Sequence, residues 1–148
     1  VLVPCAAVFH GSPGEIPLSE ESYAAFDDEF RTNARGVFVA IREALPHLAD
    51  DARVLVPSGT VAREPSAGYG GYAVSKAAAE AVTRGFAADV DQPVGVVDPG
   101  VVATDLAGGP GRGPADAAEF FVWGATDAYV DALDGDVLDL KAWKQATR

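Results

Sequence analysis

Short apolar runs separated by long helical stretches constrain this chain most. Residues 1–3 are all apolar, and 53–56 and 94–97 are apolar apart from Arg53 and Gly95, without polar alternation. Such runs mark strands covered on both faces. A fourth short run, 137–140, follows the turn pair Asp134-Gly135. Strands of this kind joined through long helices run parallel, with right-handed crossovers. The pattern therefore predicts an α/β fold, a parallel sheet flanked by helices, forming a single domain over residues 1–148 without internal repeats.

The helices are written in the spacing. Phe26, Phe30, Ala34, Val37, Phe38, Ile41, Leu45 and Leu48 recur mostly at three- and four-residue steps, which predicts one long amphipathic helix with a break near Asn33. Ser19 is the expected cap, with Glu20 and Glu21 suited to the positive helix end. A second helix is expected over 72–89, where Ala77, Ala78, Ala79 and Ala81 permit close approach of a partner helix. A third is expected over 115–126, with Pro114 as its start signal. Residues 9–18, 57–71 and 99–114 are rich in Gly and Pro and read as loops.

Charge removes several functions. The formal net charge is −11, and Lys76, Lys141 and Lys144 are the only lysines. Nucleic acid and anionic membranes are therefore excluded as partners. A surface so acidic is also the kind that keeps a halophile's protein solvated in concentrated salt. Cys5 is the single cysteine, so no intrachain disulfide forms, and its expected role is a small buried thiol. No apolar run reaches membrane-spanning length, and no signal peptide is evident. A chain that begins inside a strand-like run reads as truncated, and the expected location is cytoplasmic. His10 and His47 lack acidic or cysteine partners at ligand spacing, so no metal site is expected.

The residues with chemistry begin at Tyr72-Ala73-Val74-Ser75-Lys76. A Tyr and a Lys four apart lie one above the other on a helix face. An ammonium beside a phenol favours the phenolate and lowers the tyrosine pKa. Such a tyrosine can give a proton to a carbonyl oxygen or take one from an alcohol near neutral pH. Tyr-x-x-x-Lys alone is a weak signal, and its bland reading is a surface Lys beside a half-buried Tyr.

The flanking blocks decide between those readings. Val1-Leu2-Val3, Arg31 to Phe38 around Asn33, Arg53 to Ser58, Tyr69 to Lys76, and Val96 to Thr104 occur in this order. Together they resemble the short-chain dehydrogenase/reductase family over nearly the whole chain. The resemblance implies a Rossmann-like, doubly wound sheet that here lacks the family's N-terminal βαβ half, with its glycine-rich phosphate loop and ribose-binding acid. It implies hydride transfer between NAD or NADP and a carbonyl or secondary alcohol. Tyr72 would be the general acid/base, and Lys76 would tune it and hold the nicotinamide ribose. Asn33 would break its helix and order a water in the proton relay. Pro99, Gly100, Val102 and Thr104 would grip the nicotinamide, with Tyr72 and Lys76 also touching the cofactor. Thr60, Tyr69, His10 and Leu106 would line the substrate pocket.

Two departures stand out. The family's catalytic serine falls on Gly59, leaving Ser58 or Thr60 to supply the hydroxyl, with Ser58 favoured. Pro4-Cys5-Ala6-Ala7 replaces the family's Asn-Asn-Ala-Gly stretch. The resemblance further implies a homo-oligomer, a dimer or tetramer, built through the two long helices. Two rival readings are a non-catalytic scaffold or oligomer partner, and a non-redox lyase or epimerase that uses the Tyr–Lys pair for proton transfer alone.

Overall fold

The computed structural model describes residues 1–147. Three strands, β1 (Val54–Pro57), β2 (Val94–Asp98) and β3 (Val137–Asp139), lie side by side in that order, and every pairing is parallel. Along β1, side chains alternate between two cores, as strand geometry requires. Val54 and Val56 face one core with Val37, Ile41 and Ala79. Leu55 faces the other with Val97, Phe120, Leu133 and Leu138. All of β2 is buried, as expected for a strand covered on both faces.

The run at residues 1–3 forms less than a strand. Leu2 makes one parallel bridge to Val54, donating its N–H to the Arg53 carbonyl at 2.9 Å and accepting from the Leu55 N–H at 2.9 Å. The next rung of a parallel ladder would need an N–H two residues on, and that residue is Pro4, which has none. Leu2 and Val3 still pack on opposite cores, as the apolar run implied.

One face of the sheet carries the first two long helical segments. Helix α1 (Tyr23–Glu29) passes into a widened π-turn over Phe30–Arg35 and then into α2 (Gly36–Ala44). The Gly36 N–H reaches the Arg31 carbonyl, five residues back, so the break expected near Asn33 is an inserted residue in a continuous rod. The cap is Ser22, whose Oγ accepts from the Ala25 N–H at 3.1 Å, and not Ser19, which lies in the 3₁₀ turn Leu18–Glu20. Glu21 also leaves the expected helix start, because its carboxylate accepts the Gly71 N–H instead.

Helix α3 (Gly70–Asp89) packs beside this rod and begins two residues earlier than the sequence predicts. Gly70 sits at φ +45, a left-handed turn that glycine adopts without strain. Gly71 approaches the acids of the neighbouring helix so closely that a Cβ would fall 2.8 Å from Glu29 Oε2.

The other face is covered by α4 (Pro114–Thr126), which has Pro114 in its first turn, and by two helices absent from the sequence reading, α5 (Val130–Leu133) and α6 (Leu140–Ala146). Phe120 stacks on Trp143 of α6 with centroids 5.2 Å apart. Leu140 opens α6 and does not end β3. Asp139 caps that helix by accepting from the Ala142 N–H at 2.8 Å.

Candidate active site

Ligands of parallel α/β sheets bind beyond the carboxyl ends of the strands, and a cavity lies there. It encloses about 380 Å³. Its walls come from the segment after the Leu2 bridge, the turns after β1 and β2, and the first turns of α3. Tyr72, Lys76, Ser58, Thr60, Tyr69, Pro99, Gly100, Val102, Thr104 and Leu106 all line it. The chain thus gathers these expected residues from three separate stretches.

Lys76 is 7% exposed, and its Nζ donates to the Pro57 carbonyl at 2.7 Å. Burial pushes its pKa down, against the opposing pull of Glu80 and then Cys5. An ammonium carries three donors, so others remain beyond the one spent on Pro57. Tyr72 departs from expectation. Burial pushes the phenol up, and nearby Tyr69 and Glu29 push in the same direction. Lys76 does not lower it here: the ammonium is engaged by Pro57, and loss of water around the phenol dominates.

Ser58 Oγ is buried without a hydrogen-bond partner, and Ser58 lines the cavity. Thr60 lines it too but is exposed. At Gly59 the backbone is extended, with φ −160 and ψ 168, and a Cβ there would meet nothing within 4 Å. Gly59 therefore has open space where a side chain would stand.

His10 and Cys5 correct the expectations set for them. His10 does not line the cavity: its ring bonds Asp28 Oδ2 at 2.7 Å on the surface, and its N–H donates to Glu29 Oε1 at 2.8 Å. Asn33 is 1% exposed and also lies outside the lining. Its amide clamps Val8 through both backbone groups, at 2.8 Å each, and donates to Ser75 Oγ at 2.9 Å. It ties the segment after Leu2 to α3, one helical step from Lys76. Cys5 is exposed and lines the cavity, not the core, because Pro4 has already ended the ladder that would have buried it.

The sequence reading missed two groups. Arg63 donates to Glu80 on α3 and to Asp98 at the end of β2. These carboxylates are 2% and 4% exposed. Asp98 also accepts from the Gly100 N–H at 3.0 Å, so one guanidinium holds together the turn after β1, the helix of Lys76 and the turn of Pro99–Gly100. Glu80 was findable, four residues after Lys76 on the same helix face. Phe9 is the second. Its ring lies 4.9 Å from that of Tyr72 and 6.0 Å from that of Tyr69, nearly parallel to the latter.

The buried acid Glu29, 0% exposed, faces Glu21 at the start of α3. Glu29 Oε2 and Glu21 Oε1 have no hydrogen-bond partner. Burial raises the Glu29 pKa, opposed by the His10 N–H and reinforced by the Glu21 charge. The folded chain therefore holds this proton more tightly than the unfolded one. The stability it lends is complete below the ordinary value near 4.5 and is lost as pH climbs through the raised one. Glu29→Gln keeps an acceptor for His10 and removes the charge. Thermal melts from pH 4 to pH 8 should show the variant gaining stability over the parent as pH rises; parallel curves would refute this assignment.

Among the described residues, no helix is long and apolar enough to cross a membrane, and no group of three or more His, Cys, Asp or Glu could hold a metal ion.

The parallel sheet, its flanking helices and the cavity at its carboxyl edge define a Rossmann-like architecture. The family described as Enoyl-(Acyl carrier protein) reductase matches residues 1–122. The chain belongs to the short-chain dehydrogenase/reductase family. It is 32% identical over 111 residues to the NADPH-dependent aldehyde reductase 2, chloroplastic, of Arabidopsis thaliana, covering 72% of this chain and 40% of that protein. It is 33% identical over 111 residues to cis-2,3-dihydrobiphenyl-2,3-diol dehydrogenase of Pseudomonas putida, with the same two coverages. The structure of 3-ketoacyl-(acyl-carrier-protein) reductase from Brucella melitensis complexed with NADH superposes with a TM-score of 0.81 at 22% identity, over 94% of this chain and 64% of that one. The chain thus spans 40% of the length of each of these two curated relatives.

Proposed function

We propose that this chain carries the catalytic side of an oxidoreductase that moves hydride between NAD or NADP and a carbonyl compound or secondary alcohol in the cytoplasm. One observation carries the reading: Tyr72, Lys76 and the unpartnered hydroxyl of Ser58 line a single cavity at the carboxyl edge of the sheet. The names of the Arabidopsis relative and of the Brucella structure support a nicotinamide cofactor.

The residues present fit such a group. Lys76 keeps free donors for a ribose, Ser58 has an unused hydroxyl, and the turn Pro99–Val102 with Thr104 lines the same space. The bound cofactor would supply or accept the hydride. The chain supplies the rest. Tyr72 donates the phenolic proton to the carbonyl oxygen, or withdraws one from the alcohol. Ser58 holds that oxygen, and Thr60 stands at the mouth. Lys76 places positive charge beside the reacting groups, while Arg63 fixes the cofactor turn through Asp98.

The protein acts as a homo-oligomer in this reading, a dimer or tetramer paired through α2 and α3. Phe38, Val39 and Val74 on those helices are 39%, 36% and 36% exposed. The net charge of −11 fits solvation in concentrated salt, so the test belongs in molar salt. NADH and NADPH binding, followed by energy transfer from Trp123 and Trp143, should saturate with the parent chain and be lost or weakened at least about tenfold in Lys76→Ala, equivalent to about 1.4 kcal/mol. Absence of binding to the folded parent would overturn the proposal. Gly59 at the serine position favours a second reading, a non-catalytic scaffold, which predicts assembly without cofactor binding.

A further inference from the structure

Glu21 and Glu29 line no part of the cavity, yet they meet at the turn that carries Tyr72. A Cβ on Gly71 would lie 2.8 Å from Glu29 Oε2 and 3.0 Å from Glu21 Oε2, so both carboxyls press on one point of α3. Each acid uses one oxygen on the backbone. Glu29 Oε1 accepts the His10 N–H at 2.8 Å, and Glu21 Oε2 accepts the Gly71 N–H. The other two oxygens, Glu29 Oε2 and Glu21 Oε1, are buried and unpartnered.

Two buried acceptors cannot satisfy each other, and two carboxylate charges in a dry space repel. A single proton removes both problems, because a carboxylic acid donates and a carboxylate accepts. The surroundings offer no other neutralisation. From the cavity segment, His10 faces Glu29, with its ring bonded to Asp28 of α1. From α3, the Tyr72 phenol is near enough to feel the Glu29 charge, and Tyr69 acts on Tyr72 in the same sense. Among the described residues, neither acid forms an ion pair with Lys or Arg.

The pair grips Tyr72 from two sides. Glu21 holds Gly71, its neighbour in the chain. Glu29 holds His10, next to Phe9, whose ring lies 4.9 Å from that of Tyr72. We infer that Glu21 and Glu29 share one proton and that this carboxylic acid–carboxylate clasp positions Tyr72, closed while the proton is present and loosened when it leaves. The Glu29 O–H donates to Glu21 Oε1; on ionisation that bond breaks and the proton passes to solvent. The value of positioning Tyr72 rests on the oxidoreductase reading of the site, whereas the clasp itself does not.

Amide hydrogen exchange at Gly71 and His10, with NMR of the chain carrying 13C-labelled tyrosine, tests this without cofactor or substrate. The open clasp titrates at the ordinary carboxyl value near 4.5 and the closed one above it. Protection of both amides, corrected for intrinsic exchange, should fall by up to about tenfold per pH unit between those points and then level off. The Tyr72 signal, identified by its loss in Tyr72→Phe, should move over the same interval, well below the region where the phenol ionises. Glu29→Gln keeps the acceptor for His10 and brings an N–H donor in place of the O–H. It should hold the low-pH protection and the low-pH Tyr72 signal throughout. Parent protection that varies less than about twofold from pH 4 to pH 8, or a Glu29→Gln variant that tracks the parent, would overturn the shared proton. Protection that rises in potassium or sodium chloride over choline chloride at equal ionic strength would put a bound cation between the acids and overturn it too. A Tyr72 signal that stays still while the amides lose protection would overturn the positioning role. NADH and NADPH binding, measured separately, keeps the two readings apart: the expected titration without cofactor binding sinks the redox reading alone, and cofactor binding without the titration sinks the clasp alone.

Discussion

Tyr72→Phe should lower turnover by about 10²- to 10⁴-fold, the range typical of a lost general acid or base, with little change in cofactor affinity or stability. The ring remains and keeps its contact with Phe9 at 4.9 Å; only the hydroxyl goes. Its pKa also sets a direction. Burial, then Tyr69 and Glu29, hold the phenol above its ordinary value near 10. Carbonyl reduction, which needs the protonated phenol, should therefore persist to high pH and fail only as the phenol ionises. Alcohol oxidation, which needs the phenolate, should rise across that same region. Steady-state rates of parent and variant from pH 6 to pH 11 in both directions check this. A variant that keeps more than a tenth of the parent rate would remove Tyr72 from its role.

Arg63→Gln should cost about 3–5 kcal/mol, the usual price of removing one partner of a buried ion pair. Two carboxylates depend on this guanidinium, and both are almost fully buried. Removing it leaves two nearly buried carboxylates without their shared cation. For a chain of this size, the melting temperature should fall on the order of 10 °C. Neutralising the acids as well, in Arg63→Gln/Glu80→Gln/Asp98→Asn, should recover part of the loss. Chemical denaturation of the single and triple variants decides the matter: a single-variant loss below about 1 kcal/mol would show the cluster to be a solvated surface feature.

Much of the fold was legible because periodicity reports directly on burial. The strands expected at 53–56 and 94–97 follow from apolar runs, helix α3 from its alanine-rich stretch and α4 from the start signal at Pro114. Errors collected where one residue has two uses. Glu21 looked like a helix-start acid, yet its carboxylate caps a helix fifty residues away. Leu140 looked like a strand residue because nothing in sequence separates it from Val137, although Asp139 was a readable cap. Within the site, the Tyr72–Lys76 pair was accessible through spacing, and the Pro99 turn only through the resemblance of its block to the family. Phe9 and Arg63 were not, since an aromatic or an arginine in a loop declares no partner until the chain is folded. His10 was misplaced for the same reason: loop position says little about direction, and Asp28 captured the ring.

The widened turn at Phe30–Arg35 makes residue number as consequential here as residue type. Each helical residue advances the rod by about 100°. Deleting any one of these six would close the turn to an ordinary α-helix and swing α1 by that angle about its own axis. Glu29 would leave Gly71, His10 would lose its anchor, and the start of α3 would open. A substitution along this rod changes one side chain, whereas a single-residue deletion re-aims every side chain of α1.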